Sequence, residues 1–358
     1  MVPCAPTIWL LSAYRTDSHA AWADWLVHHV TEVTWQRLEL PGRHFPWRIR
    51  GNPLSWLDAL PEQPPDRILA TSMVDLATLK GLHPSLASVP ADYYFHENQF
   101  AYPLSGRQVP SVEPQMVQLY GALAAERLVF NSRFNRDSFL EGVQCLLRRL
   151  PDATPHGVAD RLAARSLICP VPVNRVDASP EKDPALILWN HRWEYDKAPE
   201  VFADAILALA EDGYDFRLAL LGARPRRVPE SLARLRQAFP ERMVADGRVD
   251  AATYRELLGR AGIAVSTALH EFQGLAMLEA ASAGALPLVP DALCYPEQYP
   301  AAYRYAPGDR TALKQRLAAW LSGESPAPVD VSAWSSARLT SAWRGLFMSL
   351  EQDCEEGL

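Results

Sequence analysis

Two successive series of short apolar runs, each run followed by an amphipathic stretch, constrain this chain more than any other feature. The first series predicts strands at TIWLLS (7–12), VTWQRLEL (33–40), RILATS (67–72), ADYYFHE (91–97) and RLVFN (127–131). Helical spacing falls between them at 19–30, 53–60, 73–80, 115–125 and 134–149. The second predicts strands at ALILWN (185–190), DFRLALLG (215–222), RMVADGRV (242–249), GIAVST (262–267) and ALPLVP (285–290). Its helices fall at 198–211, 229–238, 251–260, 275–283 and 309–322. Strands that alternate with helices pair in parallel and are covered by those helices. The expected fold is therefore α/β, with two doubly wound Rossmann-like domains facing a central cleft. Each would place ligands at the carboxyl ends of its strands.

The stretch CPVPVNRVDASPEKDP (169–184) carries four prolines and little periodicity, as a linker should. It divides the chain into a first domain at 1–172, a linker at 173–184, a second domain at 185–330 and a closing helix at 331–358. Trp334, Leu339, Trp343, Leu346 and Leu350 lie near helical spacing in that last segment, which is expected to pack back on the first domain. A length of 358 residues suits two such domains. The net charge of −7 argues against a surface that binds polyanions everywhere, and leaves nucleic-acid contact to a local basic patch. Five scattered cysteines with no C-x-x-C pair point to neither a zinc site nor a disulfide framework. No apolar stretch is long enough to span a membrane, and no basic segment precedes the first apolar run, so the chain reads as cytoplasmic.

The segment HEFQGLAMLEAASAGALPLVP (270–290) holds two carboxylates around an Ala/Gly-rich run. Gly274 lets the backbone approach a ligand, and the amides around it and Leu275 open a helix, where anions bind. Glu279, just over a turn into that helix, can accept hydrogen bonds from a ribose diol, while Glu271 on the preceding turn can reach a second sugar. Both acids also suit a helix start on electrostatic grounds alone. In LWNHRWEYDKAPEVF (188–202), Arg192 and Lys197 follow a strand directly. Placed at its carboxyl end they can clamp a diphosphate, although exposed cations are commonly just solvated. Gly222 ends one strand and Val249 another, and a nucleotide base can sit beside either.

In the first half, AYRTDSHAAW (13–22) follows the first strand, with Ser18 a fair helix N-cap and His19 beside it. YYFHENQFAYP (93–103) leaves a strand with His96, Glu97, Asn98 and Gln99 in succession, which suits a site better than a core. VFNSRFNRDSFL (129–140) offers Asn131 and Asn135 after another strand. LPGRHFPWRIRGN (40–52) interleaves Arg43, His44, Arg48 and Arg50 with Phe45 and Trp47. As a surface loop it can hold phosphates and stack on unpaired bases.

Arg192 and Lys197 five apart, Glu271 and Glu279 with seven residues between, and the following Pro296-Glu297 together resemble the donor domain of retaining glycosyltransferases of the GT-B fold. That resemblance implies that Arg192 and Lys197 hold the diphosphate with amides near Gly274 and Leu275. Glu279 would then bind ribose and Glu271 the transferred sugar. No Asp-x-Asp motif occurs, so no metal or other cofactor is expected, and the leaving-group charge would fall to Arg192, Lys197 and the helix dipole. The phrases FHENQ-x-x-YP, FNS-x-FN-x-x-SFL, LWNHRWE-x-DK and HEFQG-x-AMLEA, with the Trp-Arg-x-Arg segment, look like the tRNA-queuosine mannosyltransferases. This implies transfer of α-mannose from GDP-mannose to the cyclopentene diol of queuosine in the anticodon of a tRNA for aspartate. His96 would hydrogen-bond the sugar or diphosphate. Ser18, His19, Glu97, Asn98, Gln99, Asn131, Asn135 and the 43–50 segment would face the acceptor, with no obligate protein partner. The alternatives are another nucleotide sugar or a small acceptor, and, in a different class, a non-catalytic RNA-binding protein.

Overall fold

A computed structural model of the chain describes residues 5–102 and 111–348. Pro103, Leu350 and the end of the predicted closing helix lie outside the described residues. Two compact units emerge, one formed by the residues before Val173 together with those from Ala337 onward, the other by Val173–Ser336.

The first unit runs β1 (Thr7–Arg15), α1 (Asp17–His29), β2 (Thr34–Pro41), α2 (Phe45–Ser55), β3 (Arg67–Thr71), α3 (Leu76–Leu82), β4 (Ala91–Phe95), α4 (Glu113–Ala124), β5 (Arg127–Phe130), α5 (Arg133–Arg149), α6 (Val158–Ala163) and β6 (Ser166–Ile168). Its strands pair in parallel in the order β2-β1-β3-β4-β5-β6. The order reverses between β1 and β3, and that reversal opens a crevice at their carboxyl ends. Buried Leu11, Ile68, Tyr93, Phe130 and Phe139 lie in the core. These central strands are apolar on both faces, as a sheet covered on both sides requires.

The second unit runs β7 (Asp183–Trp189), α7 (Pro199–Glu211), β8 (Arg217–Leu220), α8 (Glu230–Ala238), β9 (Met243–Asp246), α9 (Ala251–Arg260), β10 (Ala261–Val265), α10 (Leu275–Ser282), β11 (Leu286–Pro290), β12 (Arg304–Tyr305) and α11 (Arg310–Leu321). The sheet order is β12-β11-β10-β7-β8-β9, again parallel. Here the reversal lies between β7 and β10, so the segments leaving those two strands are where a ligand is expected.

A final helix, α12 (Ser336–Met348), belongs with the first unit. Its fully buried Trp343 meets Trp22 edge-on with ring centroids 5.7 Å apart and Tyr94 at 5.1 Å, and its Nε1 donates to Pro170 O at 2.9 Å. Arg127 reaches the Leu346 carbonyl and Arg344 the His29 carbonyl, so three side chains fasten this helix. Among the described residues no helix is long and apolar enough to cross a membrane.

Two sequence expectations need correction. The arginine-rich segment expected as a loop, with a helix only from 53, is helical from Phe45 to Ser55. Pro46 sits in the first turn, where its missing N–H costs nothing, and Pro53 falls late in the helix. Buried Asn52 pins the helix, donating to Arg48 O, Ile49 O and Met73 O and accepting from the Asp75 amide. Ser18 is not an N-cap: α1 starts at Asp17 after Thr16, whose side chain makes no capping bond. The edge strands β6 and β12 and the short α6 were not anticipated.

Candidate functional site

In the second unit the chain leaves β7 through Asn190, His191 and Arg192, and turns back at Lys197. The segment is tightly tied. Trp193 N donates to Ala223 O and its indole to Leu221 O, both at 3.1 Å, and Thr267 Oγ1 caps the Lys197 and Ala198 carbonyls at 2.7 and 3.0 Å. Gly222, at φ +92°, lies so close to the His191 carbonyl that a Cβ would strike it. Val249 is half-buried just before Asp250, which caps α9 by accepting from Ala252 N and Thr253 N. The expected strand stops earlier, at Asp246.

Buried Lys197 is the centre of the site. Its Nζ donates to His270 O at 2.7 Å and to Glu271 Oε2 at 3.1 Å, with Asp196 Oδ2 at 3.5 Å. Burial would raise the Glu271 carboxyl, but the Lys197 ammonium overrides it and brings the group down to about 2. Glu271 also accepts from the Phe272 and Gly274 amides. The Gly274 amide thus bonds to the Glu271 carboxylate. Gly274 itself takes φ +63° at the N-cap of α10, and a Cβ there would stand 2.8 Å from the Tyr295 ring, so no other residue fits without displacement. Leu275 opens the helix.

Arg192 is half-exposed and pairs with Glu194 at 2.7 Å and with buried Asp196 at 3.3 Å. His191 and His270 lie beside these charges. Burial, reinforced by Lys197, lowers both imidazoles to about 4, so they are neutral at pH 7. His191 escaped sequence reasoning, since a histidine directly before a candidate cation carries no signal of its own.

Glu279 occupies the second turn of α10. Burial raises its carboxyl, and a hydrogen bond from Tyr254 opposes the rise. That bond, from Tyr254 Oη to Glu279 Oε2, is 2.8 Å long. Tyr254, on α9, also escaped sequence reasoning, because a tyrosine in AATYRELL reads as ordinary helix. The second unit thus brings Arg192, Lys197, Glu271, Gly274, Leu275 and Glu279 to the ends of β7 and β10. It presents two cations and two carboxylates of different character, one held ionised by a lysine and one shielded by burial.

In the first unit His96 leaves β4 and enters an aromatic box. Its ring stacks on His19 at 4.1 Å and meets Trp22 and Tyr94 edge-on at 4.6 and 4.7 Å. His19 Nδ1 lies 2.8 Å from Tyr14 O and so carries a proton, while burial lowers the imidazole. Burial lowers the His96 imidazole well below its ordinary range, with His19 adding to it. The His96 Nε2 is buried without a protein partner among the described residues.

The neighbouring amides do other work than expected. Asn98 is fully buried: its Nδ2 donates to Asn135 Oδ1 and Ser138 Oγ, and its Oδ1 accepts from the Phe100 and Ala101 amides. Asn135, also buried, donates to Phe95 O and Asn131 Oδ1, and Asn131 donates to His96 O at 2.8 Å. These three side chains build the turn that presents His96, and their amides are spent on it. The Glu97 carbonyl accepts from Ser72 and Gln118, and the Gln99 amide donates to Gln118. Ser18 is exposed at the start of α1.

On α2 the expected arginine set divides. Arg48 is buried and reaches Ser55, whereas Arg50 stays half-exposed and pairs with buried Asp75 at 2.6 Å. Arg43 and His44 stay exposed at its start. Trp47 is 54% exposed although its indole lies flat over Gly51, so close that a Cβ at Gly51 would fall onto the ring.

Comparison with known proteins identifies the family. The family model described as tRNA-queuosine alpha-mannosyltransferase N-terminal matches residues 7–173, and the one described as Glycosyl transferases group 1 matches residues 184–322. The lipopolysaccharide outer core galactosyltransferase WaaB superposes with a TM-score of 0.65 at 12% identity, covering 96% of this chain and 99% of its own. Sucrose-phosphate synthase from Thermosynechococcus elongatus does so at 0.64 and 13%, covering 97% and 95%. Both likenesses show the GT-B fold alone. A tRNA-queuosine alpha-mannosyltransferase from Drosophila melanogaster is 31% identical over 312 residues, 83% of each chain. With that identity over that length, the chain belongs to the tRNA-queuosine alpha-mannosyltransferase family of glycosyltransferases.

Proposed function

We propose that this protein transfers mannose from GDP-mannose to the cyclopentene diol of queuosine in the anticodon of a tRNA for aspartate, with retention of the α configuration. The observation that carries the reading is the Lys197–Glu271 pair at 3.1 Å, set where β7 and β10 end. A buried ammonium there meets a diphosphate as a fixed countercharge, worth far more than the same charge in water. Arg192, leaving Glu194, supplies a second, forked contact to the phosphates. Glu271 is an acceptor for mannose hydroxyls and Glu279 for the ribose diol. The bond from mannose C1 to the diphosphate oxygen breaks as a bond to a queuosine hydroxyl forms on the same face. The proton of that hydroxyl passes to the departing phosphate oxygen.

The test uses purified protein, a panel of GDP-mannose, UDP-glucose and UDP-galactose, and tRNA from cells with and without queuosine. Nucleosides from the digested tRNA are read by mass spectrometry. Queuosine heavier by one hexose, with GDP-mannose alone, is the expected result. A hexose gained from a UDP-sugar would overturn the donor. No gain from a protein that still binds GDP would overturn the acceptor.

The tRNA is expected to touch α2 through Trp47 and Arg43. Stacking on an aromatic ring contributes about 1–3 kcal/mol per base, so Trp47→Ala should weaken tRNA binding by roughly tenfold or more. Arg43→Ala should lower the salt slope by about one, as the loss of a single phosphate contact does. Filter binding across a salt series measures both. Equal affinity in Trp47→Ala and the parent protein would remove α2 from the tRNA surface.

A further inference from the structure

We infer that Tyr254 is a positioning residue for Glu279, aiming its carboxylate at the ribose diol so that the site distinguishes a ribonucleotide from a deoxyribonucleotide. The inference rests on the proposed donor site and adds to it a residue outside the motif that suggested that site.

The argument is one of hydrogen-bond direction. Asn190 leaves β7 and places its Nδ2 3.0 Å from Ala276 O and 3.2 Å from Tyr254 Oη. A backbone carbonyl only accepts, so the nitrogen of the Asn190 amide must face Ala276. The same nitrogen then donates to Tyr254 Oη, which fills a lone pair of the phenol and leaves its single proton to point elsewhere. The remaining neighbour is Glu279 Oε2, at 2.8 Å. Burial drives the Tyr254 hydroxyl upward, so the phenol stays protonated and donates at every working pH.

The chain Ala276 O, Asn190, Tyr254, Glu279 begins and ends on α10: Asn190 gives one proton to Ala276 O and the other to Tyr254, which donates its own to Glu279. It takes up one oxygen of Glu279 and fixes the plane of the carboxyl group, which leaves the other oxygen for a hydroxyl donor. Burial alone favours a protonated Glu279, and a protonated acid accepts less well. The Tyr254 donor opposes this rise. A tyrosine that merely joined α9 to α10 would fill the same space without caring whether the ligand carries hydroxyls.

That difference is measurable. Calorimetric affinities of GDP and UDP, each beside its 2′,3′-dideoxy form, are compared in the parent protein, Tyr254→Phe and Glu279→Gln. The parent is expected to prefer the ribonucleotide by roughly tenfold, the size of one hydrogen bond to a charged group. Tyr254→Phe keeps the ring and leaves Asn190 its bond to Ala276 O. It should bind the dideoxy nucleotide as the parent does and lose most of the preference, as Glu279→Gln should. An unchanged preference in Tyr254→Phe overturns the inference and leaves the donor site standing. A parent protein with no preference, or with no affinity for either nucleotide, overturns the placing of the ribose on Glu279 and the inference with it.

Discussion

Lys197→Ala is expected to lower kcat/KM for mannosyl transfer by about two to three orders of magnitude, the range seen when one preorganised donor to a developing negative charge is removed. Steady-state kinetics at saturating tRNA with varied donor would measure it. The ammonium is buried and already aligned on Glu271 and the His270 carbonyl, so it needs no reorganisation as charge builds on the diphosphate. Without it the depressed Glu271 carboxyl should return from about 2 towards 4.5. The sign follows from linkage. A carboxyl whose pKa is lower in the folded protein contributes stability that is present above pH 4.5 and is lost as the pH falls towards about 2. Acid titration of the fold should therefore show a loss over that window, and Lys197→Ala should lack that part of it. A variant with full transfer activity would remove Lys197 from the chemistry altogether.

Trp343→Ala is expected to destabilise the first unit by about 3–5 kcal/mol, the usual cost of emptying a buried tryptophan site. The indole is fully buried, meets Trp22 and Tyr94, and satisfies the Pro170 carbonyl. Trp343→Phe should cost less, since it keeps ring contact and loses mainly that one hydrogen bond. Urea unfolding followed by tryptophan fluorescence compares the two, and equal midpoints for Trp343→Ala and the parent would show that α12 contributes nothing. His96 stands in the same aromatic box, at 4.6 Å from Trp22, so transfer should fall along with stability.

Where the candidate donor-site residues gather was legible because it is written in spacing. Arg192, Lys197, Glu271 and Glu279 flank strands whose apolar runs are plain, and a parallel sheet leaves little choice about where their ends meet. Tyr254 was not legible, since its part is set by one hydrogen bond across two helices and no local pattern encodes that. The run His96 to Gln99 looked like four ligands in a row. The structure uses Asn98 for the turn itself, because a turn with buried amides needs side-chain acceptors and donors as much as a site does. On α2, charge density suggested an exposed loop. Packing decided otherwise, as Ile49, Asn52 and Trp56 all turn inward and carry Arg48 and Arg50 along with the helix. The strands β6 and β12 are three and two residues long, too short to leave any periodicity.

The return of α12 to the first unit makes the order of synthesis differ from the order of completion. Val173–Ser336 is continuous in sequence and can close as soon as it has left the ribosome. The first unit, although made first, must wait with Trp22, Tyr94 and Trp35 uncovered until Trp343 and Phe347 arrive. During that interval it offers a hydrophobic face to chaperones and to other nascent chains. Production of the intact protein should therefore depend on how quickly the last helix emerges, even though that helix stands far along the sequence from the donor site.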